Sequence, residues 1–484
     1  MDFLKKAYDL MPVLHENTAR PVSGIPEGRI MRDGDSFMLD FGTHVVGYVT
    51  LAVNVEKPGG DTADSPLAVE FKFFENPCED TDVIYTGGMS RSWFQVQTVF
   101  ADNPYAPIEL PRRYAFRYVR ITFPANTSYA VSYRDCFVRA VTSADESNVA
   151  PLPQNTDPLL KKIDSIALLT LKNCMQTVFE DGPKRDRRLW LGDLYLQAKA
   201  NYCTFKNNDL VLRCLCLFAG LPHADGCLSS AVFQEPVLRG QNWILHDYAL
   251  FFVGTLADYY RATGRDDVVK ELWPVAFRQT EIAYGAFENE GLKAPVNMYF
   301  VDWCPGLDKS CAALGILVSM LRDALYLAKI AGTKAQADTL AREIENVSGA
   351  LAAAYDPSEK IFRTPEGQLS VHSQMWAVLA GVLQPSENAS VMRETLRRKD
   401  LVRPVTPYAM HFLTEALIRS GLKDEAFDLI KDYWGAMAAK GFDCFPEVFV
   451  PENPDASPYG SVAMNSYCHA WSCTPTYFIR TFGI

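Results

Sequence analysis

The densest group of charged side chains in the sequence lies between residues 180 and 193. It holds four carboxylates, four cations and one tryptophan between two apolar helical patterns. Gly182 and Pro183 predict a loop here, and loops held by a rigid scaffold are where active sites are commonly built. The alternative is an exposed, salt-bridged connection, but Trp190 would be unusual in such a linker. The carboxylates that could exchange protons with a substrate are Glu180, Asp181, Asp186 and Asp193.

A second candidate is Glu447, the single glutamate inside the aromatic and apolar run 442–449. Burial among such neighbours raises the pKa of a carboxyl group unless cations or hydrogen-bond donors hold it charged. Either outcome suits proton transfer, so Glu447 is a candidate acid or base. The alternative is an edge or rim glutamate that points to water.

Tryptophans recur beside polar residues in the helical half of the chain. Trp243 precedes His246 and Asp247, and the other instances are Asp302 with Trp303 and His469 with Trp471. Each alone is more often core packing than a ligand contact. Together they offer flat apolar faces for sugar C–H groups and charged acceptors for hydroxyls, and this combination predicts a carbohydrate pocket.

Signature motifs of several other chemistries are missing from the sequence. We find no phosphate-binding Gly-x-x-x-x-Gly-Lys loop, no dinucleotide fingerprint after a strand, no Gly-x-Ser-x-Gly elbow and no His-Glu-x-x-His zinc motif. We therefore expect neither a cofactor nor a metal. A metal site formed by convergence of His223, His246 and His469 is a less favoured alternative.

Composition narrows the partners and the compartment. The 484 residues carry a net charge of −11 with no block of basic residues, so nucleic acid and anionic membranes are poor partners. The first 20 residues show no export signal, and the twelve cysteines are scattered, which predicts reduced thiols in a cytoplasmic protein. The sequence leaves the oligomeric state open, a homo-oligomer included.

Hydrophobic periodicity divides the chain in two. Apolar residues alternate with period two from about Phe37 to Val141, which predicts an antiparallel β-sandwich. Prolines in the polar stretch 150–158 predict a boundary, and beyond it roughly a dozen helical stripes follow. We therefore predict a sandwich domain at 1–150 and a helical domain at 151–484. No strict repeat appears, so a closed ring of helix pairs is favoured over a solenoid.

The loop at 181–193 resembles the signature of the bacterial α-L-rhamnosidases of glycoside hydrolase family 78, roughly Asp-Cys-Pro-x-Arg-Asp-Glu-Arg-Leu-Gly-Trp-x-Gly-Asp. The resemblance continues elsewhere in the family's order. Residues 39–49 and 116–119 resemble its sandwich domain, 438–447 resembles the segment that ends in its general base, and 465–472 resembles its late Cys-His-x-Trp-Ser motif. The fold implied is an α+β one, a β-sandwich followed by a six-hairpin (α/α)6 toroid.

The same resemblance implies roles for single residues. Glu447 takes the place of the general base of an inverting hydrolysis. The positions that match the sugar-binding pocket or its neighbourhood are Asp181, Arg185, Trp190, Asp193, His469 and Trp471. One departure matters, because Arg187 occupies the place of the family's general acid and arginine, with a pKa above about 12, cannot donate a proton at neutral pH.

Three consequences of this departure stay open. Another carboxylate, Asp193, Asp186 or Glu180, has taken over the acid role while Arg187 binds an anionic or polar aglycone; or the leaving group needs little acid help; or the protein binds sugar without turnover. We favour the first. The expected activity is an inverting exo-glycosidase that releases terminal α-L-rhamnose, or a related sugar, from short imported glycosides. The alternatives are a six-hairpin glycosidase for a uronic sugar paired with Arg187, and a non-catalytic sugar-binding protein.

Overall fold

The computed structural model describes residues 2–56, 65–81, 93–124, 129–290, 298–453 and 455–483. Apolar side chains form two large cores, one in the N-terminal half and one in the C-terminal half. This division follows the change of hydrophobic period that the sequence shows near residue 150.

The N-terminal half forms one antiparallel sheet with strand order β1-β8-β3-β7-β4-β5, to which β2 and β6 are added at the sides. The predicted alternating runs fall on its long strands. The strands are β1 (His15–Ala19), β2 (Ile30–Met31), β3 (Ser36–Glu56), β4 (Leu67–Phe74), β5 (Val96–Ala101), β6 (Ile108–Glu109), β7 (Tyr114–Thr122) and β8 (Ala130–Thr142).

Strand β3 is long because it serves two sets of partners. Its first half pairs with β7 as far as Gly47, and its second half pairs with β8 from Gly47 onward. A Cβ atom at Gly47 would lie 2.3 Å from the carbonyl oxygen of Arg139, so only glycine allows the three strands to approach here. Buried side chains from both halves, such as Leu39 and Leu51, share one core. The predicted antiparallel β domain is confirmed, with its two halves joined through β3.

The remaining chain is helical, apart from short ladders. The helices are α1 (Phe3–Asp9), α2 (Pro158–Cys174), α3 (Leu191–Cys203), α4 (Asn208–Ala219), α5 (His246–Thr263), α6 (Asp266–Glu290), α7 (Ser310–Ala331), α8 (Lys334–Ala352), α9 (Val371–Ala380), α10 (Pro385–Arg397), α11 (Pro407–Arg419), α12 (Lys423–Ala439) and α13 (Pro475–Phe482). The short strands are β9 (Leu189–Trp190), β10 (Ala231–Phe233), β11 (Arg239–Gly240), β12 (Tyr355–Asp356) and β13 (Ile361–Phe362).

The helices close into a ring, which periodicity alone could not show. Helices α3, α5, α7, α9 and α11 contact one another in succession, and the short helical segment Ala470–Cys473 joins α11 back to α3. Helices α2, α4, α6, α8, α10 and α12 pack outside this inner layer. By length and composition α7 could cross a membrane, but it packs between α5 and α9 and 67% of its apolar window is buried.

Helix α1 belongs by contact to the helical ring, although it precedes the sheet in sequence. It packs against α4, and Ala7 is part of the helical core. The guanidinium of Arg213 in α4 donates a hydrogen bond to the carbonyl oxygen of Ala7. The first residues of the predicted sandwich segment therefore lie on the other domain.

Candidate active site at the amino ends of the inner helices

The amino-terminal ends of the inner helices and the loops before them surround one cavity. Trp190 is the residue before α3 and Asp193 lies in its first turn, while Tyr248 lies in the first turn of α5. Trp303 lies in the loop that leads into α7. Helix amino termini carry partial positive charge, so this end of the ring favours carboxylates and other electron-rich groups.

The empty space between these residues, including its opening to solvent, is about 410 Å³, and we call it the aromatic cavity. Ten of the residues singled out from the sequence line it: Asp181, Arg185, Asp186, Trp190, Asp193, Trp243, Trp303, Glu447, His469 and Trp471. Four further residues complete its wall: Leu245, Tyr248, Phe300 and Tyr459. The fold thus gathers side chains from four separate parts of the chain: 181–193, 243–248, 300–303 and 447–471.

Backbone pairing between two separate segments positions Glu447. The backbone amide of Glu447 donates to the carbonyl oxygen of Ser466 at 2.9 Å. The backbone amide of His469 donates to the carbonyl oxygen of Phe445, also at 2.9 Å. The indole of Trp471 donates to the backbone carbonyl oxygen of Glu447 at 3.0 Å. The run around Glu447 and the late motif are therefore one structural unit.

The Glu447 carboxylate is only 3% exposed and has a donor on each oxygen. The guanidinium of Arg185 binds Oε2, and the hydroxyl of Tyr459 donates to Oε1. Burial by itself raises the pKa of Glu447, but Arg185, His469 and the Tyr459 hydroxyl outweigh it and hold that pKa below its ordinary value. Glu447 is therefore ionised at neutral pH, and its remaining lone pairs can accept a proton.

Sequence reasoning missed Tyr459. Besides its bond to Glu447, its ring lies under the guanidinium of Arg185 at 4.1 Å, so it orients both members of the ion pair. The one available signal was that Tyr459 is the only aromatic residue in the proline- and glycine-containing stretch 450–460.

A second polar wall consists of Asp181, Asp193 and His469. His469 Nε2 lies 3.1 Å from Asp193 Oδ1, and Asp181 Oδ1 accepts a bond from the amide of Arg188 at 3.0 Å. Burial raises the pKa of Asp193 despite its bond to His469. Burial, together with the charges of Asp186 and Asp193, raises the pKa of Asp181 well above its usual value. This wall can therefore both donate to and accept from hydroxyl groups.

Asp186 occupies a distinctive position on the loop before α3. Its backbone lies in the left-handed region at φ 64°, which costs a non-glycine residue roughly 1–3 kcal/mol and is typical of functional sites. Its carboxylate accepts a hydrogen bond from the indole of Trp190 at 3.2 Å. Asp186 also lines a second cavity, whose empty space, including its opening to solvent, is about 1070 Å³. We call this the arginine cavity, because Arg112, Arg113, Arg187 and Arg188 lie along its wall.

Aromatic rings form the apolar part of the aromatic cavity. Trp190 meets Tyr248 edge-on at 6.1 Å, and Phe300 stacks on Trp471 at 5.7 Å. Close packing fixes the first of these pairs, because a Cβ atom at Gly192 would lie 2.4 Å from the Tyr248 ring. The β9–β10 ladder pairs Trp190 with Ala231 and so sets its orientation. These aromatic rings are therefore held in place before a ligand binds.

Three predicted substrate contacts do not line the aromatic cavity, and each has another environment. Glu180 is 4% exposed and binds Arg113 of the β domain through both carboxylate oxygens, each at 2.7 Å. Arg187 follows Asp186 in a second left-handed conformation, φ 52°, and lines the arginine cavity. The structure thus places Glu180 in an ion pair with the β domain and Arg187 at the arginine cavity.

Asp302 is the third predicted substrate contact that does not line the aromatic cavity. Its carboxylate accepts bonds from the Thr406 hydroxyl at 2.6 Å and the Val405 amide at 3.0 Å, and it lies 2.8 Å from His372 Nε2. Asp302 is 3% exposed, so these contacts account for its oxygens. It ties the loop before α7 to the starts of α9 and α11, and its role is to position that loop.

The histidines considered as metal ligands do not converge. His469 lines the aromatic cavity, whereas His223 bonds to Ser229 at 3.2 Å and His246 stacks on Tyr299 at 5.8 Å.

In the described chain, the buried donor atoms that do gather, within 4.8 Å of one another, belong to His44, Cys444 and Cys468. The His44 ring is already engaged, since Nε2 faces Glu75 and Nδ1 faces the Asn173 amide, both at 2.9 Å. No ring lone pair is left for a metal.

Comparison with known proteins agrees with this geometry. Residues 15–140 match the family model described as the glycosyl hydrolase family 78 alpha-rhamnosidase N-terminal domain. Residues 154–481 match the model described as the bacterial alpha-L-rhamnosidase 6 hairpin glycosidase domain. No curated protein matches the chain.

Solved structures of rhamnosidases superpose on this chain. The rhamnosidase from Klebsiella oxytoca with rhamnose bound superposes with a TM-score of 0.92 at 38% identity, covering 100% of this chain and 98% of that one. The family 78 rhamnosidase of Bacillus sp. GL1 gives 0.78 at 21% identity, covering 95% of this chain and 48% of that one. The Streptomyces avermitilis α-L-rhamnosidase complexed with L-rhamnose gives a TM-score of 0.71 at 18% identity, covering 97% of this chain and 44% of that one.

The last two matches show the fold alone, and this chain spans about half of those longer proteins. The six-hairpin family model, in contrast, matches well over half of this chain, and the Klebsiella enzyme matches all of it. The chain therefore belongs to glycoside hydrolase family 78, and the protein is a glycoside hydrolase.

Proposed function

We propose that the protein is an inverting exo-hydrolase that releases a terminal α-L-rhamnose residue from small glycosides. The observation that carries this proposal is the buried, ionised Glu447 beside Arg185 in a cavity that also contains Asp186. The similarity to a rhamnosidase with rhamnose bound supports the choice of sugar.

The walls of the aromatic cavity suit a 6-deoxy sugar. Trp190, Phe300 and Trp471 offer apolar faces for C–H groups and a methyl group, while Asp181 and Asp193 offer polar atoms for hydroxyls.

In the proposed step, Glu447 accepts a proton from a water molecule whose oxygen bonds to the anomeric carbon. The bond from that carbon to the glycosidic oxygen breaks, and the leaving oxygen takes the proton of Asp186. The products are the free sugar with inverted configuration and the free alcohol. Glu447 then returns its proton to solvent and Asp186 regains one, which restores the starting state.

We assign the acid role to Asp186 because of its position between the two cavities. A general acid must reach the bond between the released sugar and the leaving group. Of the three candidates from the sequence, only Asp186 lines both the aromatic and the arginine cavity. Asp193 is bonded to His469 deep in the wall, and Glu180 is held by Arg113.

A uronic sugar in the aromatic cavity is less favoured. The alternative depended on pairing between the sugar's carboxylate and Arg187, which lies in the other cavity. Within the aromatic cavity, the guanidinium of Arg185 is already bound to Glu447.

The test is hydrolysis of 4-nitrophenyl α-L-rhamnoside by the parent and by Glu447→Gln. We expect kcat to fall about 10²- to 10⁴-fold, the usual contribution of a general base. Glu343→Gln is the matched control, because Glu343 is also buried but lies on the outer helix α8. Proton NMR of the first product should show the β-anomer. A parent-like rate for Glu447→Gln, or initial release of the α-anomer, would contradict the proposal.

A second variant separates chemistry from folding, since removing one partner of a buried ion pair costs about 3–5 kcal/mol. In Glu447→Ala, azide should restore turnover by bonding to the anomeric carbon in place of water, giving the β-glycosyl azide. Azide cannot rescue a protein that has merely lost its structure.

We also propose a cytoplasmic location. All twelve cysteines fall in the described chain, and each is a free thiol. Free thiols are usual in reducing compartments. Fractionation of the native cells would test this, and recovery in the medium would contradict it.

A further inference from the structure

The arginine cavity lies at the contact between the two domains. The β domain contributes Arg112 and Arg113, and the loop before α3 contributes Asp186, Arg187 and Arg188. Because Asp186 also lines the aromatic cavity, the two spaces meet at the proposed acid. A leaving group attached to a sugar in the aromatic cavity would therefore extend toward the arginines.

The four arginines differ in the carboxyl groups that lie near them. Arg113 is paired with Glu180 at 2.7 Å, and Arg188 lies 3.6 Å from Asp186. Across the described residues, Arg112 and Arg187 have no carboxylate within ion-pair distance; Arg112 instead lies over the Tyr114 ring at 4.4 Å. Within the part of the chain that the structure describes, two guanidinium groups thus line the cavity without a carboxylate at ion-pair distance.

Arg187 is the more constrained of the two. It is half-buried and held at φ 52°. Burial and the positive charges of Arg112 and Arg113 lower the pKa of Arg187, so its charge is opposed by its surroundings. The remaining acidic residue of the wall, Glu235, is exposed to solvent. An anion placed between Arg187 and Arg112 would relieve this repulsion.

We propose that the arginine cavity binds the leaving group and that Arg187, assisted by Arg112, recognises a carboxylate on it. The favoured substrates are then α-L-rhamnosides whose second sugar is a hexuronic acid. The planar guanidinium fork matches a carboxylate in a bidentate manner, which a neutral hydroxymethyl group cannot reproduce. This inference rests on the proposed function, since it specifies what is attached to the rhamnose.

The experiment compares two disaccharides that differ only in that group: α-L-rhamnosyl-glucuronic acid and α-L-rhamnosyl-glucose of the same linkage. We expect the parent to favour the acid at least tenfold in kcat/KM. In Arg187→Gln this acid-to-neutral ratio should fall about 10- to 100-fold, the range of a charge-assisted hydrogen bond. Because the ratio is taken within each variant, a general loss of activity cancels.

Arg239→Gln provides the matched control. Arg239 is exposed and near the same region, lying 3.9 Å over the Phe233 ring, but it is outside the cavity wall. Its removal should leave the ratio unchanged. The parent's preference should also weaken as salt rises, since ionic screening acts on the acid alone.

The outcomes distinguish the two proposals. Hydrolysis of the aryl rhamnoside without preference for the uronic disaccharide, or an unchanged ratio in Arg187→Gln, would overturn the carboxylate site while leaving the proposed function intact. Failure to hydrolyse the aryl rhamnoside and both disaccharides would overturn the proposed function, and the carboxylate site with it.

Discussion

Replacing Asp186 by asparagine should remove proton donation while changing the fold very little. Asp186 is half-buried, and its carboxylate accepts one hydrogen bond, from the Trp190 indole at 3.2 Å. An asparagine oxygen can accept that bond, and the nearby Arg188 lies 3.6 Å away in a partly exposed pair. Changes of this kind usually alter stability by no more than about 0.5–1 kcal/mol.

The effect on rate should be much larger and should depend on the leaving group. General acid catalysis contributes about 10²- to 10⁴-fold, or roughly 2.7–5.4 kcal/mol at about 1.36 kcal/mol per tenfold. A sugar alkoxide is a poor leaving group and needs the full contribution. A 2,4-dinitrophenolate leaves without protonation, so its release should slow by less than about tenfold.

The assay measures kcat and kcat/KM for both kinds of rhamnoside with the parent, Asp186→Asn and Asp193→Asn. Asp193 is bonded to His469 in the wall that faces the sugar, so its loss should slow both substrates alike. Thermal unfolding of each variant reports the structural effect separately. The acid assignment would be refuted if Asp186→Asn slowed both substrates equally while Asp193→Asn showed the leaving-group dependence.

Two further substitutions test the surroundings of the site. In Arg185→Met the pKa of Glu447 should rise, because a cation that favours its ionised form is lost; the acidic limb of the pH profile of kcat/KM should then move to higher pH, and an unmoved limb would contradict the pairing. In Gly192→Ala the new methyl group would lie 2.4 Å from the Tyr248 ring, so urea unfolding should show a loss of about 1–3 kcal/mol together with a higher KM. Gly285→Ala, where nothing lies within 4 Å, is the control and should be neutral or stabilising.

The parts of the fold that follow from local pattern were predictable. Period-two alternation located the long strands. The Thr406-Pro407 pair is typical of a helix start, and at the start of α11 the Thr406 hydroxyl accepts a bond from the Ala409 amide at 3.2 Å. The exchange of β3 from β7 to β8 at Gly47 was not predictable, because it depends on how closely the three strands approach one another.

The candidate site shows the same distinction. Glu180 and Asp181 are neighbours in sequence but face different surroundings, because Glu180 pairs with Arg113 from the other domain. Asp186 lines both cavities whereas Arg187 lines only the arginine cavity, and both adopt left-handed backbone conformations, which side-chain type did not reveal. Such outcomes depend on tertiary partners, which a linear pattern does not contain.

The placement of helix α1 ties the two domains together more firmly than a single linker would. Helix α1 lies on the ring, and the chain after it crosses to the sheet and then crosses back, so the domains share two covalent connections. If the chain were divided between Thr142 and Pro158 and its first part removed, the ring would lack the helix that covers α4. Glu180 would also lack its partner Arg113. Any exchange of this β domain for another module, by recombination or by design, must carry α1 across or rebuild the surface it protects.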